Sequence, residues 1–496
     1  MPKRQRALLV THIFWVHFKV PIVNELWHTL RMQDLFSVSI MDEFTHAHLG
    51  DQRLNRRLPR LADALARQPD ASIPSATGSW GQACAAYRFL AHTTFTPDDL
   101  LQPHWERTRT RAAAHRTVLA VADTTSLHFG NAACTPGLGP VGNRATQASG
   151  LLPHSLLAFT PAGLPLGVLD SQWWARDPAQ FGGNHQRNRK PVSEKESAKW
   201  LRSYAALQTH AMHTPNTRWV LVADRESDLY ELFAQALAAP KGPGVLVRAQ
   251  HDRSVEKSAR RLFAHLARTP VAGQLHVQVP RRPGQAARTA RVSVRHREVR
   301  LSAPWLKAEE PALTLWAVEV REAHPPRGCA PLHWRLLTTE PVTTLAEATR
   351  IIGWYGVRWG IEVFHKVLKS GCAVEAVQLE KAERLQRYLA VKLVIAWQVM
   401  ALTHLGRVQP TAPVREILAA GAWRILRMAT GGEAGAPGPP KVGEVVQRLA
   451  RLGGHLGRRS DGPPGPLSLA RGLQRLQDIT LGWQLARKIG KAKTCA

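Results

Sequence analysis

A chain of 496 residues, 44% hydrophobic and 21% charged, is globular and too long for one ordinary core, so roughly two to four domains are expected. Lys and Arg outnumber Asp and Glu by 66 to 37, giving a formal charge of +29 and a pI near 11. Such a charge favours a polyanionic partner, nucleic acid ahead of an acidic membrane surface, although an arginine-rich proteome would raise it as well.

The first 40 residues read as an extension, with Met41 the expected start. Ala7 to Leu30 is apolar in places, but His12, His17, Lys19, Pro21 and Glu25 argue against a membrane span, and no A-x-A cleavage pattern follows. Cys84, Cys134, Cys329, Cys372 and Cys495 show no CxxC spacing, which suits a reducing cytoplasm and no zinc site. From Asp51, a plausible N-cap, "DQRLNRRLPRLADALAR" sets Leu54, Leu58, Leu61 and Leu65 at helical spacing, interleaved with Arg53, Arg56, Arg57 and Arg60. Pro59 is expected to kink or split that helix. "SWGQACAAYRFLA" reads as a second helix. The pair suits a DNA-contacting module, or else a solvated charged face.

After residue 115 the pattern turns to β. "TVLAVAD" is a buried-strand run ending in Asp123, and "SLLAFT" and "LPLGVLD" follow around the turn "PAG". "SEKESAKWLRSYAALQTH" reads as a helix capped by Ser193, "RWVLVAD" as a strand ending in Asp224, and "SDLYELFAQALAA" as the next helix. This is α/β wiring with carboxylates at strand ends. Alternating segments from about 244 to 341 form an antiparallel β insertion. "WYGVRWGIEVFHKVLKSG" (354–371) is an amphipathic helix. At ~100° per residue, Tyr355, Arg358, Glu362 and Lys369 fall within about 60° of arc, opposite Val357, Ile361, Phe364 and Leu368. Beyond Glu383 the chain is helical again, divided by "GGEAGAPGPP" and "SDGPPGPL".

Hard divalent cations take carboxylate oxygens, and Asp123, Asp224 and Glu362 form a candidate triad for them. Asp170 also ends a strand and Asp228 lies one turn after Asp224, so both stay open as alternatives. "VADTTSLHF", "VADRESDLYELF" and the 354–371 helix together resemble the three catalytic motifs of bacterial DDE transposases. Tyr355, Arg358, Glu362 and Lys369 fit the Y-(2)-R-(3)-E-(6)-K signature of the insertion-sequence-four family. "LGDQRLNRRLPRLADALA" and "AAYRFL" resemble that family's N-terminal end-binding domain, and "LARLGGHLGRRSDGPPG" its C-terminal domain. The likeness covers roughly residues 42 to 485 and is nearest the Tn-five type.

The resemblance implies an RNase H-like core with an inserted antiparallel β subdomain, flanked by α-helical N- and C-terminal domains. The expected boundaries are 41–112 for the end-binding domain, 113–385 for the core and 386–496 for dimerisation. It implies that Asp123, Asp224 and Glu362 bind two Mg²⁺ ions, with Mn²⁺ able to substitute. Tyr355, Arg358 and Lys369 would grip a phosphate near the cut end, Trp334 would stack on a flipped base, and Arg248 would contact phosphate. Lys366, Arg53 and Arg56 join the expected DNA contacts, and His365 and Arg225 lie close enough to contribute. The implied partners are double-stranded DNA, at transposon ends and target, and a second copy in a synaptic complex. The implied location is the bacterial cytoplasm, at the nucleoid, with no membrane. Two departures stand out: Pro59, expected to impair end recognition, and Ala470, where relatives usually carry tryptophan and looser packing is expected. The rival readings are an inactive DNA-binding relative, an inhibitor of transposition, or a structure-selective nuclease.

Overall fold

The structure, a computed structural model, describes residues 39–494 except 131–134, 143–147, 180, 182–190, 280–287, 413–419, 433–439 and 459–460. The stretch Ala7 to Leu30 lies outside the described residues. A 3₁₀ turn, Ile40–Phe44, opens the fold, with the Ser39 hydroxyl accepting from the Met41 amide at 3.3 Å. Ile40 is buried, so the folded domain takes in residues ahead of Met41.

Four helices follow: α1 (Gln52–Arg67), α2 (Ile73–Thr77), α3 (Trp80–Ala91) and α4 (Pro97–Ala113). Asp51 caps α1 by accepting from the Arg53 amide at 2.7 Å. Pro59 does not split α1, which runs as one helix from Gln52 to Arg67 with the proline ring buried beside Leu58, Leu61 and Leu65. One missing ladder bond is offset there by apolar burial. Glu43, fully buried, ties the opening turn to α4. It accepts from His104 Nδ1 at 2.5 Å, Arg111 Nη1 at 2.8 Å and Arg107 Nε at 3.2 Å. His104 Nε2 accepts from the Val168 amide at 2.9 Å, which leaves the proton on Nδ1, facing Glu43.

The strands are β1 (Thr117–Thr124), β2 (Leu127–His128), β3 (Gly139–Val141), β4 (Ala148–Phe159), β5 (Pro165–Trp174), β6 (Arg218–Ala223), β7 (Gly244–Arg248), β8 (Gly273–Val279), β9 (Arg288–Leu301), β10 (Leu313–Glu322) and β11 (His333–Thr338). They form one sheet ordered β2-β4-β1-β6-β7-β11-β10-β9-β8, with β3 and β5 pairing on β4. Pairing is parallel between β1 and β6 and between β6 and β7, and antiparallel elsewhere. The block expected to begin at 244 therefore divides: β7 belongs to the parallel core, and β8 to β10 extend the same sheet through β11.

One face of the sheet is covered by α5 (Ala198–Met212), α6 (Tyr230–Leu237) and α7 (Leu262–Ala267), through Trp200, Tyr204, Phe233 and Leu262. The helix expected to be capped by Ser193 begins five residues later, after Ser197; Ser193 sits in a separate 3₁₀ turn, Val192–Glu194. The other face is covered by α8 (Leu345–Val357), α9 (Trp359–Lys366) and α10 (Ala382–Val408). Here the segment read as one helix is subdivided. Arg358 joins α8 to α9, and a π turn, Val367–Gly371, follows α9.

Among the described residues α10 alone is long and apolar enough to cross a bilayer, yet 83% of its apolar window is buried in the fold. It is a core helix that also clamps the N-terminal domain. Lys392 Nζ donates to the Pro69 carbonyl at 2.7 Å and Arg387 Nε to that of Phe95 at 3.1 Å. After α11 (Ala420–Ala429), α12 (Val442–Leu452) packs on α13 (Pro466–Thr494). Their backbones pass so closely that a Cβ on Gly472 would lie 1.9 Å from the Leu449 carbonyl oxygen. Ala470, where looser packing was expected, is buried in the core.

Candidate active site

The parallel register Val121↔Val222 sets β1 beside β6, and Asp123 and Asp224 each lie two residues beyond that pair. Neighbouring strands run about 4.8 Å apart, so the register brings the two carboxylates to one sheet end. The Asp123 carboxylate accepts from the Thr124 amide at 2.7 Å. Asp224 caps the 3₁₀ turn after β6, accepting from the Glu226 amide at 2.9 Å. From the covering helices, Arg358 reaches both Glu362 (2.5 Å) and Asp123 (3.6 Å). Burial and the neighbouring Asp224 push the Asp123 carboxyl up to about 7; Arg358 opposes the shift and Glu362 adds to it. The structure thus brings all three predicted carboxylates into one electrostatic neighbourhood.

Among the described residues no group of three His, Cys, Asp or Glu side chains stands close enough to hold a metal ion. Arg358 lies between Asp123 and Glu362. The donor set nevertheless suits hard divalent cations: three carboxylates, two of them on adjacent strand ends.

The two open aspartates have other work. Asp228 is buried and accepts from the Gln250 and His251 amides at 2.8 and 2.9 Å and from Arg253 at 2.7 Å, anchoring the loop after β7. Asp170 sits by Gln172, with Asp98 as its like-charged neighbour.

Next to the carboxylates is an aromatic–cation cluster. Tyr355, only 6% exposed, meets Trp334 edge-on with centroids 5.3 Å apart. It faces the Arg248 side chain, and each lies in the other's electrostatic field; Arg248 also donates to the His333 carbonyl at 3.0 Å. Burial pulls Arg248 down, with Tyr355 opposing and Arg225 adding to the fall. Burial opposes charge on Arg358 too, but Tyr355, Glu362 and Asp123 outweigh it and raise the guanidinium. Tyr355, Arg358, Trp334, Arg248 and Arg225 are therefore brought together.

The remaining expected contacts have other neighbours. Lys369 falls in the π turn, where Glu375 is its charged neighbour and burial lowers its ammonium. Lys366 lies in the field of Arg471 on α13, and His365 is buried and held down to about 3 by desolvation and Lys369. Arg53 and Arg56 are exposed on α1; Arg53 forks onto Asp51 at 2.9 Å and Arg56 reaches Gln52 at 3.4 Å. Beside them is a groove of about 280 Å³ lined by Arg57, Arg60, Thr77 and Gln82, in which Arg57 donates to Gln82 at 2.9 Å. Trp80, 80% exposed, begins α3 two residues before Gln82.

Family comparison assigns all three parts of this arrangement. Residues 39–95 match the family described as "Transposase DNA-binding", 193–398 "Transposase DDE domain", and 394–492 "Transposase Tn5 dimerisation domain". The chain belongs to the Tn5-type DDE transposases. It is a DNA transposase with an RNase H-like catalytic core. The DDE match includes Asp224 and Glu362 and begins after Asp123, which enters the site through the β1–β6 register. Among solved structures, a cryo-EM piggyBac transposase synaptic complex with hairpin DNA is 8% identical over 92% of this chain and 80% of that chain. Its TM-score is 0.36.

Proposed function

We propose that this transposase moves an insertion sequence by cut-and-paste: nicking at terminal inverted repeats, hairpin formation and opening, then strand transfer into target DNA. The observation that carries the reading is the juxtaposition of three neighbouring carboxylates, Asp123 and Asp224 on adjacent strand ends and Glu362 linked to Asp123 through Arg358, with the Trp334–Tyr355–Arg248 cluster. Asp123, Asp224 and Glu362 are the residues that would hold Mg²⁺, with Mn²⁺ as substitute; bound there, the ions supply activation of water and stabilisation of in-line substitution at phosphorus.

The chain's own side chains do the rest. Arg358, held charged, offers its guanidinium to a phosphate oxygen beside the cut. Arg248 and the Tyr355 hydroxyl orient the adjoining backbone. Trp334 replaces the stacking a flipped base loses while the freed 3′-OH attacks the opposite strand, a contact worth ~1–3 kcal/mol per base. Arg53, Arg56 and the Arg57–Arg60 groove of the N-terminal domain hold the transposon end. Lys369 and Lys366 contribute positive charge on the C-terminal side. Two copies pair through the C-terminal helices and hold two ends together, at the nucleoid in the cytoplasm.

The test is Glu362→Gln with duplexes carrying the element's terminal inverted repeats. Binding should persist in gel shift while Mg²⁺-dependent cleavage falls by at least ~10³-fold. Cleavage at the wild-type rate would overturn the triad.

A further inference from the structure

Glu319 on β10 is 1% exposed yet sits in an alternating strand at the far end of the sheet from the carboxylates. Antiparallel register places it directly opposite Arg335 of β11 on one side and Arg295 of β9 on the other. Three donors converge on its carboxylate: His333 Nε2 at 2.9 Å, Arg335 Nε at 3.2 Å and Arg295 Nη1 at 3.3 Å. Arg295 also donates to the Thr269 carbonyl at 2.9 Å, and Arg335 lies over the Phe263 ring at 4.1 Å. One buried acid therefore locks a row across three strands.

That row brackets Trp334. Successive side chains on a strand point to opposite faces, so His333 and Arg335 point toward Glu319 and Trp334 points the other way, toward Tyr355. Trp334 is the second residue of β11, where a strand end frays most easily. Pins on both neighbours oppose that fraying. The His333 carbonyl, fixed by the same pin, accepts from Arg248.

We infer that Glu319 is a positioning residue for base stacking: by holding His333 and Arg335 it sets how Trp334 and Arg248 are presented to the DNA end. The inference rests on the reading of Trp334 given above. Glu319 acts through its neighbours and itself touches no DNA, so its loss falls on the step that needs a flipped base and spares binding and first-strand nicking.

The experiment compares Glu319→Gln, Trp334→Ala and wild type as full-length proteins on an inverted-repeat duplex. That duplex carries 2-aminopurine at each terminal position in turn. Binding, nicking rate, hairpin rate and 2-aminopurine fluorescence are read. Glu319→Gln should bind and nick as wild type, while its hairpin rate and unstacking signal fall roughly tenfold, in step with Trp334→Ala. If Glu319→Gln does not fold, Arg335→Met keeps the stem over Phe263, removes the donor and should give the same pattern. A normal hairpin rate in the Glu319 or Arg335 variant beside a slow Trp334→Ala overturns the inference alone. Normal hairpin rates in all variants overturn the Trp334 reading and the inference with it.

Discussion

Asp170 shows how little a strand-end aspartate says on its own. Burial and the neighbouring Asp98 push its carboxyl up to about 6, with Gln172 opposing. The folded value lies above the unfolded one of roughly 4. Its contribution to stability is therefore fully present below about pH 4 and is lost as pH rises through about 6. Asp170→Asn removes the ionisation and keeps the shape. The variant should be more stable than wild type at pH 7 by about 1–2 kcal/mol, allowing for partial exposure. That advantage should shrink toward pH 4. Chemical denaturation at the two pH values measures it, and equal differences at both would refute the assignment. Asp123 is also raised, by burial first and then by Asp224 and Glu362, two carboxylates whose presence separates it from Asp170.

Elements here are joined by single buried ions. Glu43, in a five-residue turn, holds α4 through His104 and Arg111, and α4 in turn meets β5 through the Val168 amide. Arg111 and His104 counter burial and keep the Glu43 carboxyl low. Removing Glu43 leaves the buried Arg111 guanidinium uncompensated, a cost of about 3–5 kcal/mol. Glu43→Ala should lose that much in urea denaturation, whereas a mere surface pair would lose under about 1 kcal/mol. The sequence showed α1, α3, β1 and β6 well because their apolar periods are local. It did not show that β7 belongs to the core, because parallel pairing depends on residues far apart in sequence. Nor did "LTLWAVEV" reveal Glu319 as buried: in an alternating strand a glutamate reads as solvent-facing, and only α7 and its neighbours cover it. That Pro59 does not split α1 was hidden for a related reason, since the helix period is visible in one chain and the packing that tolerates a proline is not.

For the whole molecule, the convergence of Asp123, Asp224 and Glu362 was legible because two apolar strands ending in aspartate and one amphipathic helix are local patterns, while the C-terminal pairing surface was not. On α13, Leu481, Leu485 and Ile489 recur at steps of four and are 49%, 60% and 51% exposed. Such a row is one helical stripe. An exposed stripe of that kind within a segment matching the Tn5 dimerisation domain fits a second copy of the chain. Leu481→Glu with Leu485→Glu places two charges on the stripe and should leave the monomer folded, because neither side chain supports the core. Light scattering after size exclusion, with end DNA bound, should then show the mass of one protein on one end instead of two proteins holding two ends. Single-end binding should change less than about threefold. Because two ends must be held together before insertion, strand transfer should fall much further than binding. A dimeric complex in that double variant would place the pairing surface elsewhere on the C-terminal domain.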